Sequence, residues 1–195
     1  HNTLDMDLYL RIAPELFLKR LVVGGFDRVF EIGRNFRNEG IDKKHNPEFT
    51  ALEAYQAYAD YNDMAELIPD LLRSVCKEVN GTETITVNGT EIDLSKPFAR
   101  KSIVELVNEY AGIDLMKAET VEEARDMAKS IGIDASDCSN WGKVVQLIFD
   151  EKVEPNLVQP ILVMDMPRDI SPLAKVHRSN PRLVEHFDAY VGGME

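Results

Sequence analysis

Hydrophobic positions along the chain change period several times, and each change marks an element. From Pro14 the apolar residues fall at helical spacing, with Leu16 and Val23 on one face. Pro14 suits a first helical position and Gly24-Gly25 ends the run, so a helix is predicted over residues 14–23 with Glu15 in its first turn. The period then drops to two. Residues 28–38 alternate Phe30, Ile32 and Phe36 against Glu31, Gly33, Asn35 and Arg37, which predicts a strand. A second strand over 49–59 follows a polar loop at 40–48. Paired as a hairpin, the strands carry Arg37, Glu39, Phe49, Glu53 and Tyr55 at odd positions, where they form one surface. The even positions (Phe30, Ile32, Phe36, Leu52, Ala54, Tyr58) are expected to pack on a helix layer, with Arg34 as the exception.

Helical spacing returns over 62–79, where Met64, Leu67, Ile68, Leu71, Leu72 and Val75 lie on one side and Gly81 follows the end. Residues 85–92 read as a hairpin turning at Asn88-Gly89. Two capping boxes, Ser102 with Glu105 and Thr120 with Glu123, open further helices, and 141–153 reads as another. The apolar run 161–164 predicts a buried strand, and 183–191 a second that leads into Gly192-Gly193-Met194-Glu195. The predicted class is α+β, an antiparallel sheet flanked by helices, in one domain over 1–195 with a helical insertion at 97–158.

Composition narrows the function classes. With 44% hydrophobic and 29% charged residues the chain is an ordinary globular one rather than a disordered one. No apolar run reaches a membrane span, and residues 1–11 lack the pattern of a signal peptide, so an intracellular location is expected. Cys76 and Cys138 form no Cys-x-x-Cys and the four histidines show no zinc spacing, so both thiols are expected to be free and buried. Asn80-Gly81-Thr82 and Asn88-Gly89-Thr90 fit a glycosylation sequon but read as turns. The net charge of −12 excludes a general nucleic-acid-binding module, so any such contact is local or carried elsewhere. The first residue is not Met and neither end carries a break signal, so both ends are expected to continue in a longer protein.

The chemistry lies in the hairpin. Phe36-Arg37-Asn38-Glu39-Gly40, then His45-Asn46-Pro47-Glu48-Phe49-Thr50, Glu53 and Tyr55, resembles motif 2 of the class II aminoacyl-tRNA synthetases, in the form of the lysyl family. The segments 9–16, 57–61 and 171–175 match as well, so the resemblance covers most of the chain. It implies a partial class II catalytic core, ATP-dependent activation of L-lysine to lysyl-adenylate, and transfer to the acceptor end of tRNA(Lys) in the cytoplasm. An Arg-x-Glu pair on a strand is by itself usually a solvated ion-pair face; the combination of motifs carries the inference.

A planar guanidinium on a strand holds an α-phosphate with two parallel hydrogen bonds, which makes Arg37 the candidate catalytic residue. By resemblance, Glu39 accepts from the adenine amino group, Phe49 stacks on the adenine, and His45 and Asn46 lie over the phosphates of ATP. Glu15, Glu53 and Tyr55 correspond to lysine-binding positions. Their acidity suits a substrate with two positive groups, whereas an aspartyl relative needs a basic residue there. Which of the three meets which ammonium stays open. Asp188 and Glu195 fall where the family holds Mg²⁺, although Asp188 replaces a more common Glu. Residues seven apart lie on opposite faces of a regular strand, so Gly192-Gly193 is expected to be a bulge that restores a common face.

Lys43, Lys44 and His45 fall in the loop that in this family reaches the tRNA acceptor end. Motif 1, motif 3 and the anticodon-binding OB-fold are not found in the chain. Homodimerisation is therefore expected through segments outside it, and residues 1–195 alone are expected to have little activity. Two other readings compete: a paralogue that transfers lysine to a protein, and a non-catalytic regulatory module that kept the fold. Joint retention of Arg37, Glu39, Phe49, Glu15, Glu53 and Tyr55 argues against the second.

Overall fold

Pro14, with its φ already near helical values, starts α1 (Glu15–Val23), and Gly24-Gly25 stops it. The closing bonds are those of a Schellman cap, Gly25 N–H to the Val22 carbonyl at 3.0 Å and Phe26 N–H to Leu21 at 3.1 Å. The computed structural model describes residues 1–41 and 45–195. They separate into two units, His1–Asp60 and Tyr61–Glu195.

In the first unit the alternating segments pair as an antiparallel hairpin, β1 (Arg28–Phe36) with β2 (Glu48–Gln56). Alternation holds, but the covered face is the opposite of the expected one. Even positions are open except at the strand ends Phe36 and Gln56, with Phe30 70%, Ile32 62% and Leu52 45% exposed, whereas odd positions are half-buried or buried. The cause is that the unit's own helix α1 and the segment around Arg11 lie against the odd face. A period of two says that two faces differ; it does not say which one a given helix covers.

The second unit is built around a three-stranded sheet of β5 (Ala99–Ser102), β6 (Ile161–Met164) and β7 (Phe187–Tyr190), with β6 in the centre. β6 runs antiparallel to β7 and parallel to β5, a pairing the sequence did not announce. A parallel pair needs a crossover. It is supplied by α3 (Ile103–Ala111), α4 (Val121–Ser130) and α5 (Trp141–Ile148), which continues as one wide π-type turn over Phe149–Val153. Both capping boxes form as predicted, at Ser102 and Thr120.

The unbroken apolar run of β6 is explained by burial on both sides. Ile161 and Val163 face a core with Ile103, Leu106, Val145 and Phe149. Leu162 and Met164 face a second core with Ala65 and Cys76 of α2 (Tyr61–Asn80) and Ile92 of the hairpin β3 (Thr84–Val87) and β4 (Thr90–Asp93). That hairpin turns at Asn88 (φ 49°) and Gly89 (φ 80°), the two positive-φ positions a type I′ turn demands. Gly81, after α2, closes the other Asn-Gly pair as a helix end. Cys76 is buried as expected; Cys138 is only partly covered. Among the described residues no helix is long and apolar enough to cross a membrane.

Residue 142 is a close-approach glycine. A Cβ there would stand 2.9 Å from Asp169 Cβ and 3.0 Å from Pro167 Cβ, and its N–H donates to Asp169 Oδ2 at 3.2 Å. Neither neighbour is a flexible side-chain end. Gly142→Ala is expected to destabilise by about 1–3 kcal/mol, read as a lower urea midpoint at unchanged slope.

The predicted strand over 183–191 is regular only in β7. Leu183 and Val184 instead bridge singly to Pro167 and Val176, and the stretch 165–186 is held by scattered backbone bonds, such as Val184 N–H to the Met166 carbonyl at 2.9 Å, together with side-chain ion pairs. Glu185 is central, its carboxylate 2% exposed, with Arg178 Nε at 2.6 Å and Lys175 Nζ at 3.5 Å. The bond from Arg178 is the main reason its pKa falls from 4.5 to about 2. A carboxyl with a depressed folded-state pKa adds stability above its unfolded value and loses it as pH falls through the folded one. Thermal melts should therefore weaken from about pH 4.5 towards pH 2. In Glu185→Gln that share of the pH dependence should be absent.

Candidate active site

Register decides which odd-face residues meet. Asn35 stands opposite Phe49, Gly33 opposite Ala51, Glu31 opposite Glu53 and Val29 opposite Tyr55. Two carboxylates directly opposed repel, and the chain answers with Arg11. Its Nη1 bonds Glu31 and its Nε donates to the Arg34 carbonyl at 2.9 Å. The guanidinium lies across Gly33, where any Cβ would collide with it.

Glu53 is thereby left to Tyr55, whose hydroxyl donates to Glu53 Oε2 at 3.0 Å. Burial first, then that bond and the charges of Glu53 and Glu15, push the Tyr55 hydroxyl far above its usual range. Glu15, presented from the first turn of α1, therefore belongs to the same cluster. One turn on, Lys19 places its Nζ 2.5 Å from Glu15 Oε1 and 5.9 Å from the centre of the Tyr55 ring.

The loop end of the same face has the opposite character. Arg37 extends the ladder one residue past β1, its N–H on the Pro47 carbonyl at 2.9 Å. Its Nε donates to the Ile12 carbonyl at 3.3 Å, and its guanidinium carbon lies 5.2 Å from the Phe49 ring centre. The side chain is exposed, as are Glu39, His45 and Asn46 in the connecting loop. Lys43 and Lys44 lie outside the described residues. Phe49 and Glu53 are four residues apart on β2, so an anion-binding end and an acidic end are separated by about 13 Å along the strand.

Three residues of this face carried no assignment from sequence. Arg11 is legible only once Glu31 and Glu53 are known to be paired. Lys19 has a signal, the i,i+4 spacing from Glu15. Asn35 is 1% exposed, and its Oδ1 has no hydrogen-bond partner among the described residues; no spacing flags it.

In the second unit, Gly192 and Gly193 form a turn where a bulge was expected. Their φ values are 68° and 79°, and Val191 and Met194 exchange backbone bonds of 2.9 and 3.3 Å across them. The chain doubles back, which brings Glu195 alongside the end of β7. Its charge and that of Asp188 both act on His186 and Tyr190. His186 Nε2 sits 3.2 Å from Asp188 Oδ1, and this contact is the main cause that raises the His186 pKa. Among the described residues no group of three or more His, Cys, Asp or Glu is placed to hold a metal. Carboxylate oxygens are the ligands a hard cation prefers, and Asp188 and Glu195, with no third such ligand among the described residues, would suit Mg²⁺ that keeps waters and takes phosphate oxygens better than a protein-only cage.

The family described as tRNA synthetases class II (D, K and N) matches residues 1–195. The chain is similar to the lysine–tRNA ligase of Trichormus variabilis, at 54% identity over 196 residues that cover 100% of the chain and 35% of the relative. It is also similar to that of Nostoc punctiforme at 55%, again covering 100% of the chain and 35% of the relative. The Clostridium novyi lysine–tRNA ligase matches at 51% over 199 residues, covering 100% and 39%. The chain thus spans between 35% and 39% of the length of these curated relatives.

Proposed function

The chain belongs to the class II tRNA synthetases of the D, K and N group, and we propose on that basis that the protein containing it activates L-lysine with ATP and transfers it to tRNA(Lys). The observation that carries this reading is the two-ended face of the hairpin: Arg37 against Phe49 at one end, Glu15, Glu53 and Tyr55 at the other. A substrate with ammonium groups and a carboxylate that must reach an α-phosphate spans such a face. An aspartate side chain would meet the carboxylates of Glu15 and Glu53 at the second end, where the one nearby ammonium, Lys19, is already paired with Glu15, and burying like charges together is costly.

Arg37 is the catalytic residue of this reading. Its fork steadies charge on the α-phosphate as the lysine carboxylate attacks and pyrophosphate leaves. Phe49 and Glu39 hold the adenine, and His45 with Asn46 covers the phosphates. Glu15, Glu53 and Tyr55 bind lysine. Mg²⁺ would be held by Asp188 and Glu195 and would offset charge on the ATP phosphates. Lys43 and Lys44 are assigned to the tRNA acceptor end. We further assign residues 97–158 to a helical insertion within a partial class II catalytic domain over 1–195, which alone would support little exchange.

The test is amino-acid-dependent pyrophosphate exchange by the intact protein with lysine, ornithine, aspartate and asparagine. Lysine should give the highest kcat/KM and aspartate none above background. Equal exchange with aspartate would sink the assignment.

A further inference from the structure

The acidic end of the face already contains a cation. Lys19 Nζ is within 2.5 Å of Glu15 Oε1 and 5.9 Å from the centre of the Tyr55 ring, so it touches two of the three residues assigned to lysine. Helical geometry accounts for the first contact, since Glu four residues before Lys is the favourable order on a helix. It does not account for the second. A solvated helix pair has no need of an aromatic ring from a neighbouring strand, whereas an ammonium held by a carboxylate and a π-face is bound as a ligand ammonium is bound.

We infer that Lys19 is a built-in competitor for the substrate: its ammonium occupies part of the position that an ammonium of lysine takes, and it swings out when lysine binds. The inference rests on the lysine-activation reading and deepens it. Two features make the exchange feasible. The Lys19 and Glu15 side chains are 54% and 48% exposed, so the outgoing ammonium is rehydrated as it leaves. Exposed ion pairs are weak, and the four-carbon stem regains rotamer freedom when released. The pocket thus keeps its carboxylate partnered when empty and gives up little when filled. Lys19 would act as a specificity-determining residue, because a ligand without a well-placed ammonium does not displace it.

Titration calorimetry with the intact protein tests this, using L-lysine, norleucine (no side-chain ammonium) and 6-aminohexanoate (no α-amino group). Lys19→Met should bind L-lysine about three- to fivefold tighter than wild type at low salt, a gap that closes as salt rises. Lys19→Arg, which keeps the charge, should stay near wild type. The gain should persist for whichever single-ammonium analogue keeps the group that displaces Lys19 and vanish for the other, and should appear in the lysine KM and not the ATP KM. Melting curves check that each variant is folded. Lysine binding by Lys19→Met that is equal to wild type, or weaker, overturns the inference while wild-type binding leaves the activation reading standing. A wild-type protein that binds no lysine removes both.

Discussion

Arg37→Ala is expected to lower kcat for lysine-dependent pyrophosphate exchange by about 10²- to 10³-fold, the scale of losing one preorganised group aimed at developing charge. The side chain is exposed and its contacts among the described residues include a 3.3 Å bond to the Ile12 carbonyl and the Phe49 ring at 5.2 Å, so little folding stability goes with it. Arg37→Lys should recover only a small part, since an ammonium is a point charge and cannot present two parallel donors. Lysine binding, measured by calorimetry, should change far less than kcat. An exchange rate within a few-fold of wild type in Arg37→Ala would mean that the transferring phosphate is held by another residue.

Local chemistry made much of the fold legible. Capping boxes, the Asn88-Gly89 turn and the run 161–164 each carry their own signal within a few residues, and each formed where expected. What sequence could not supply is whatever depends on partners far along the chain. The parallel pairing of β5 with β6 brings residue 99 beside residue 161, and no local pattern distinguishes a parallel from an antiparallel neighbour. The covered face of the first hairpin differs from expectation for the same reason. Hydrophobicity alone makes the even face the inside, whereas α1 lies on the odd one.

The candidate site shows the same division. Arg37, Phe49, Glu53 and Tyr55 are close in sequence and on one parity, so their common face could be read directly. Arg11 could not. Its place is set by the register that opposes Glu31 to Glu53, a repulsion that exists only once the strands are paired. The Gly192-Gly193 turn is a milder case. The glycines pointed to a departure from regular alternation, and the structure makes it a reversal, closed by two backbone bonds between Val191 and Met194.

Glu53→Gln isolates charge from shape at the acidic end. The amide carbonyl can still accept from the Tyr55 hydroxyl, now bonded at 3.0 Å, so the side chain should keep its place. The negative charge is gone, and a hydrogen bond from a substrate ammonium loses its ionic partner. Such charge-assisted bonds contribute about 1.5–3 kcal/mol, which predicts a rise of about 10- to 100-fold in the lysine KM. With Glu31 already neutralised by Arg11, no second carboxylate directly across the strand can substitute. The Tyr55 hydroxyl provides an internal check, because Glu53 is one of the causes that raise it. Ultraviolet tyrosinate titration should show it ionising at lower pH in the variant, with burial still keeping it above a free tyrosine. Norleucine and 6-aminohexanoate then locate the effect. The analogue that lacks the ammonium facing Glu53 should bind wild type and variant alike, and the other should lose affinity as lysine does. If both analogues and lysine bind the variant as tightly as wild type, while the tyrosine shift is present, Glu53 tunes Tyr55 and does not meet the substrate.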